Sequence, residues 1–331
     1  MTKEQSAILK GIAILLMLAY HLKTIPGIEG MDGFVGQTLR QATYPISYFM
    51  YVTGYGLYIA HSQNRMTFKY LFKRSLKLYI ALWMVLLIFV CGLGSWLYPG
   101  KFSLQYSTLI PCFLGWKWDY CVFLWFFLPY VLATFCTKGL YWLLDRLGIP
   151  LMLLLTMCMM FACSWLISRY LDSWLIWNTW AYIPVLTLQM LFAITVGASL
   201  ARLTLQGRSV TWPWLKGKNV LIILLLLVAV LIRGQITITV AKPFFAITVT
   251  WLVLHINFSR PVKQVLMELG HKSMFMWLVQ GFIAVEMFSE YYLQLHHPAL
   301  IWLAWLAATY IVASLLMPVH GWVTRQLGLG K

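Results

Sequence analysis

Charge is what this sequence has least of. Charged residues fill 10% of its 331 positions, and only nine are acidic. Soluble domains carry about 25% charge. A chain of this length would otherwise divide into roughly two such domains, but the polar residues to clothe their surfaces are missing. Disorder is excluded as well, because it needs low hydrophobicity with high charge, and 61% of these residues are hydrophobic. The six cysteines (Cys91, Cys112, Cys121, Cys136, Cys158 and Cys163) form no CxxC pair. Most lie in apolar runs and read as small apolar residues; Cys112 and Cys121 share one connecting region, where a disulfide is open. No internal repeat and no low-complexity linker is present. The first apolar run lacks a small-x-small cleavage site and leads into further runs, so no cleavable signal is expected.

What is abundant is apolar sequence in lengths that suit a bilayer. A spanning helix uses about 20 apolar residues. The runs 8–25, 41–60, 78–98, 121–141, 149–168, 174–200, 219–233, 236–257, 273–294 and 299–319 predict an all-α polytopic membrane protein of about ten transmembrane helices. Residues 1–331 are read as one integral membrane domain without a soluble extension. The short break Arg233-Gly234-Gln235 leaves 219–257 open to two readings, a pair of full helices or a re-entrant hairpin. A net charge of +16 invites a nucleic-acid reading, but that needs a basic face on a soluble domain. Here the basic residues punctuate apolar runs. With the N-terminus taken as cytoplasmic, 18 of the 25 Lys and Arg fall on one side of the alternation. Positive residues concentrate on the cytoplasmic side of membrane proteins, so both termini are expected there, in the cell membrane.

Ionisable residues within apolar runs are functional candidates by default. His21 closes the first run, 11 residues after Lys10. At 1.5 Å per residue that is roughly 16 Å, close to three turns, so both side chains share nearly one face. A neutral imidazole at that depth suits general base catalysis; a packed, hydrogen-bonded histidine is the plain alternative. Lys242 and His255 lie near opposite ends of one run, and Lys242 can snorkel to an interface. Glu286 and Glu290 stand four residues apart, as a cation path or as a packed pair. The adjacent His296 and His297 lack a third ligand, so no metal is expected.

The segment His61 to Lys77 holds Arg65, Lys69, Lys73, Arg74 and Lys77 and no acid. Positions 65, 69, 73 and 77 share a helical face. They suit anchoring on anionic lipid or docking of a phosphate-rich cytoplasmic ligand.

The stretch KGIAILLMLAYH, with Lys10, Gly11, Ala13 and His21, resembles the opening helix of the acyltransferase 3 family. SYFMYVTGYGLY, with Ser47, Phe49, Gly54 and Tyr55, resembles that family's aromatic run ending in Gly-Tyr. Arg74 and Lys77 fill its basic Arg-x-x-Arg segment. Leu124 to Pro129, anchored by Trp125, is similar to its Leu-Trp-Phe-Leu segment, and Leu269 to Val279, containing Trp277, to its late motif. There are departures. Lys10 and Lys77 replace arginines and lose the bidentate fork, Tyr130 stands near the place of a glutamate, and Gln280 replaces a late histidine.

The resemblance implies ten or eleven helices and O-acylation of sugars. The donor would be cytoplasmic acyl-CoA (acetyl-CoA), a substrate requiring no metal. The acceptor would be a cell-surface or lipid-linked carbohydrate. His21, with Lys10, would do the acid–base work, and Lys69, Lys73, Arg74 and Lys77 would hold the donor's phosphates. Trp125, Trp277 and Gln280 are the candidate acceptor-binding residues. The competing expectation is a transporter or flippase for a polar or lipid-linked solute, with Glu286, Lys242 and His255 along its path.

Overall fold

The computed structural model describes residues 1–29, 31, 33–171, 180–238 and 240–330. Among these the chain is helical and forms no strand. The helices are α1 (Lys3–His21), α2 (Gly33–Ala42), α3 (Ile46–Ser62), α4 (Phe68–Leu86), α5 (Ser95–Leu97), α6 (Tyr106–Phe113) and α7 (Phe127–Leu166). They are followed by α8 (Tyr182–Leu205), α9 (Asn219–Gln235), α10 (Ala241–Val253), α11 (Arg260–Gly281), α12 (Ser289–Leu293) and α13 (Pro298–Gln326). Five helical stretches are long and apolar enough to cross a membrane: Lys3–Thr24, Phe68–Leu97, Val122–Tyr170, Tyr182–Leu205 and Pro298–Gln326. Large apolar side chains face outward in quantity. Along α9, Val220, Ile223, Leu224, Leu227, Leu231 and Ile232 are all exposed. A water-soluble protein does not present such a stripe; lipid is the solvent it suits. The chain is a multi-pass membrane protein.

Local sequence accounts for the helix ends. Thr2 and Gln5 form a reciprocal capping box at α1, and Thr67 caps α4 by accepting from the Tyr70 amide, each satisfying amides that a helix start leaves unpaired. α7 breaks at Gly148, whose φ of 80° suits glycine, with Pro150 just beyond. That break separates the runs expected at 121–141 and 149–168.

Elsewhere the helices depart from the apolar runs. α11 begins at Arg260, well before the run at 273, because its first half is polar. Lys263 reaches Glu4 of α1 at 2.5 Å, and Lys272 reaches Glu268 at 2.5 Å. The basic segment 61–77 is not a loop throughout: from Phe68 it is the first half of α4, and that helix continues in π form from Leu87 to Gly94. α2 precedes α3 as a separate short helix, where a single run from 41 was expected. The start of the run at 174 lies outside the described residues.

The most extensive helix pairings are α7 with α8, α1 with α11 and α3 with α8, and the last two share one device. Without a hydrophobic drive between helices in lipid, close backbone approach at small residues is what joins them. A methyl group on Gly11 would collide with the Leu266 carbonyl, and one on Gly270 with that of Ala7. Gly54 and Gly197 stand in the same reciprocal relation, against the carbonyls of Ile194 and Tyr51. Gly11 and Gly54 belong to the first two sequence motifs, which therefore mark backbone contacts.

Candidate functional site

α1 forms a wall of two cavities. Lys10 lines one near the helix middle, His21 lines the other at its end, and Met17 borders both. Phe126 and Trp277 complete the shared border. All three partition residues are buried. The partition is held: the Trp277 indole donates to the Phe123 carbonyl at 3.4 Å, and its ring meets that of Phe126 edge-on at 5.4 Å.

The first cavity, of about 430 Å³, is cationic. Lys10 of α1 and Arg74 and Lys77 of α4 line it, along with Thr53 and Tyr130. Arg74 donates to the Tyr130 phenol oxygen at 2.9 Å, and that oxygen lies 3.3 Å from the Thr53 hydroxyl. Lys10 sits close to both Arg74 and Tyr130. Arg74 remains accessible because it faces the cavity. Fixed positive charge with a shared hydroxyl suits phosphate oxygens. The four basic candidates do not act together here. Arg74 and Lys77 line the cavity; Lys69 is exposed outside it, and Lys73 donates to the Gly328 carbonyl at 3.1 Å. Tyr130 is the member the sequence signals least, visible only as the residue standing near the place of the family's glutamate.

The second cavity, of about 800 Å³, holds His21. The imidazole packs edge-on to Tyr20 and Phe123, at 5.0 and 4.4 Å between ring centres. Gln280 of α11 comes close enough to the ring to interact, yet without hydrogen-bond geometry: Nδ1 of His21 and both side-chain polar atoms of Gln280 are buried without hydrogen-bonding partners. The Gln280 carbonyl accepts from the Trp305 indole at 3.1 Å, which fixes the backbone beneath it. The first and last motifs thus meet at His21 and Gln280. Trp125 and Trp277 both line the cavity, whereas Gln280 stands behind the imidazole. Sequence reasoning missed Arg40, Tyr44 and Gln189, which line it from α2, the α2–α3 connection and α8.

The remaining ionisable candidates do not form one path. Glu286 pairs with Lys101 at 2.7 Å, and Glu290 is exposed. His255 is buried, with one ring nitrogen accepting from the Trp212 amide at 2.8 Å and the other 2.7 Å from the Trp251 carbonyl. His297 accepts from the Ala299 amide and caps α13. Of these candidates Lys242 lines the cavity that holds His21, and it also borders a smaller adjoining space with Tyr44, Trp125 and Gln189. All six cysteines are free thiols, Cys112 and Cys121 among them. Among the described residues no three His, Cys, Asp or Glu side chains cluster as metal ligands do.

No curated protein and no solved structure matches the chain. One family does, described as an acyltransferase domain, over residues 7–318. With all five motifs inside that match and two of them meeting at His21, the chain belongs to the acyltransferase 3 family.

Proposed function

We propose that the protein is a membrane O-acyltransferase that moves an acetyl group from cytoplasmic acetyl-CoA to a hydroxyl of a cell-surface or lipid-linked carbohydrate. One observation carries this reading: a single helix takes a lysine into a cationic cavity and a histidine into a larger one, with only Met17, Phe126 and Trp277 between them. The ten-helix topology with both termini cytoplasmic, supported by the distribution of Lys and Arg, gives the cationic cavity to the donor.

In this reading Lys10, Arg74 and Lys77 hold the donor's phosphates, with Lys69 and Lys73 left to anionic lipid. The pantetheine arm, on the order of 15–20 Å extended, matches the roughly 16 Å from Lys10 to His21 and carries the thioester past Trp277. Trp125 and Trp277 offer ring faces to the sugar. His21 takes the proton of the sugar hydroxyl as its oxygen attacks the thioester carbonyl. The C–O bond forms, the C–S bond breaks, and the imidazolium returns its proton to the departing thiolate. Gln280 cannot exchange protons, so it packs beside the imidazole and takes no part in the proton transfer. Base catalysis of this kind contributes about 10²–10⁴-fold.

The test is acetyl transfer from labelled acetyl-CoA to envelope polysaccharide in membranes carrying the protein or its His21→Ala variant. Transfer is expected to fall by about 10²-fold or more at unchanged insertion, with acetyl-CoA binding retained. Wild-type transfer by the variant rejects His21 as the base, and transport of an acceptor without transfer of label rejects acyl transfer.

A further inference from the structure

Among the described residues, the cavity that holds His21 is lined by cations and by no anion. Its lining includes Arg40 at the C-terminal end of α2 and Lys242 in the first turn of α10, and no Asp or Glu among the described residues. Neither cation makes an ion pair among the described residues, and Arg40 and the buried Arg233 lie near enough to Lys242 to repel it. Lys242 is not loose: its ammonium sits 4.3 Å from the centre of the Tyr44 ring. The turn that carries it is tied to α3 by a hydrogen bond from the Tyr51 hydroxyl to the Pro243 carbonyl. Tyr44 meets Tyr20 edge-on at 5.5 Å, and Tyr20 meets His21 at 5.0 Å. A continuous aromatic path therefore runs from the imidazole to the ammonium along one side of the cavity.

Gathering like charges along one cavity is unfavourable unless a counter-charge arrives. A neutral sugar leaves that cost in place, whereas an anionic one removes it. A lysine serving only to reach the membrane surface needs neither the Tyr44 face nor a second cation opening into the same space.

We propose that the acceptor is an anionic saccharide, whose carboxylate or phosphate is held by Arg40 and Lys242 while its reacting hydroxyl faces His21. This rests on the acyl-transfer reading for the identity of the ligand as acceptor; the charge preference itself does not. Arg40 and Lys242 are then specificity-determining residues. The pair would orient one hydroxyl of an acidic sugar and reject neutral sugars that fit the same volume.

The experiment uses the full chain in nanodiscs of zwitterionic lipid, with binding of methyl glucuronide, glucose 1-phosphate and methyl glucoside measured by calorimetry. At least one charged ligand is expected to bind about tenfold or more tightly than the glucoside, the effect of a charge-assisted contact, and the preferred one names the anion. Lys242→Gln and Arg40→Gln should each remove most of that preference, and Lys242→Arg should keep it, which separates lost charge from lost folding. Equal binding of the three, or a preference untouched by both glutamine variants, overturns the proposal. So does loss of glucuronide and sugar-phosphate binding when phosphatidylglycerol is added to the nanodiscs, because the cations then serve a lipid headgroup. Label transfer from acetyl-CoA in the same preparation separates the two readings. A charge preference without transfer rejects acyl transfer and keeps the anionic site; transfer to the glucoside as readily as to the charged sugars rejects the anionic site and keeps acyl transfer.

Discussion

On one side of Met17, Phe126 and Trp277 the polar groups nearest the partition are engaged with one another; on the other, those beside His21 are not. Arg74, Tyr130 and Thr53 are joined by contacts of 2.9 and 3.3 Å, with Lys10 beside them. Around His21, Nδ1 of the ring and both polar atoms of the Gln280 side chain are unsatisfied, and among the described residues Arg40 and Lys242 have no counter-charge. A buried polar atom without a partner costs about 1–3 kcal/mol. The difference shows where each cavity spends its stability. The cationic side is already organised for one kind of group, as a donor common to many reactions requires. The histidine side leaves hydrogen-bonding capacity unspent beside the imidazole.

The comparison exists only while α1 lies against α11, so the most severe way to break it is to separate them. In Gly11→Val the added branches meet the Leu266 carbonyl, which is backbone and cannot rotate aside. Overpacking of this sort costs about 1–3 kcal/mol. The variant is expected to lose both cavities together: a large drop in thermal midpoint in detergent, with donor binding and transfer failing in parallel. Retained stability would mean that the α1–α11 contact is not what holds the partition.

Arg74→Gln addresses one side alone. It removes a charge from the cationic cavity and one donor from Tyr130, leaving the His21 cavity intact. KM for acetyl-CoA is expected to rise about 10- to 100-fold with kcat changed far less, as suits a charged contact of about 1.5–3 kcal/mol. The difference between Arg74→Gln and the wild type should shrink with added salt. A fall in kcat at constant KM would instead place Arg74 among the groups that act on the transition state. Tyr130→Phe, which keeps the ring and the charge but removes the shared oxygen, should cost less. About a 2- to 10-fold rise in donor KM is expected, the worth of a single hydrogen bond near 0.5–1.5 kcal/mol.

How much of this was legible in the sequence differs between the two cavities for the same reason. His21 and Lys10 stand out because ionisable side chains in an apolar run are costly, and their spacing of 11 residues already assigns them to one helix face. Tyr130 does not stand out, being one of 18 tyrosines in a chain rich in aromatics. Its meaning comes from Arg74, 56 residues away, and only tertiary packing joins them. Arg40 was hidden because it lies on α2, a short helix without a run of its own. The start of α11 was hidden because Lys263, Glu268, His271 and Lys272 break the apolar signal, although ion pairs to Glu4 and within the helix make those residues helical neighbours. The long apolar helices followed from hydropathy; the short helices, the helix ends and the cavity-facing sides followed from partners far away in sequence.

The basic stripe of α4 gives the finest division. Periodicity groups Lys69, Lys73 and Lys77 on one face and leaves Arg74 off it. The cavity takes Arg74 and Lys77 instead, because α4 packs against α7 and α11 and turns that side inward. Lys69 is exposed, and Lys73 is engaged with the Gly328 carbonyl. Exposed charges on a solvated surface contribute about 0–1 kcal/mol. Lys69→Gln is therefore expected to change donor KM by no more than about twofold, near the lower part of that range, and to weaken association with anionic vesicles more than it weakens the donor. Lys73→Gln should behave alike, apart from loosening the C-terminal segment, which limited proteolysis would detect. If Lys69→Gln raises donor KM as far as Arg74→Gln does, the donor lies along the outer face of α4 and the division between cavity and membrane anchor is wrong. A null effect on the donor, with lost vesicle binding, shows that one basic helix serves two partners on two faces.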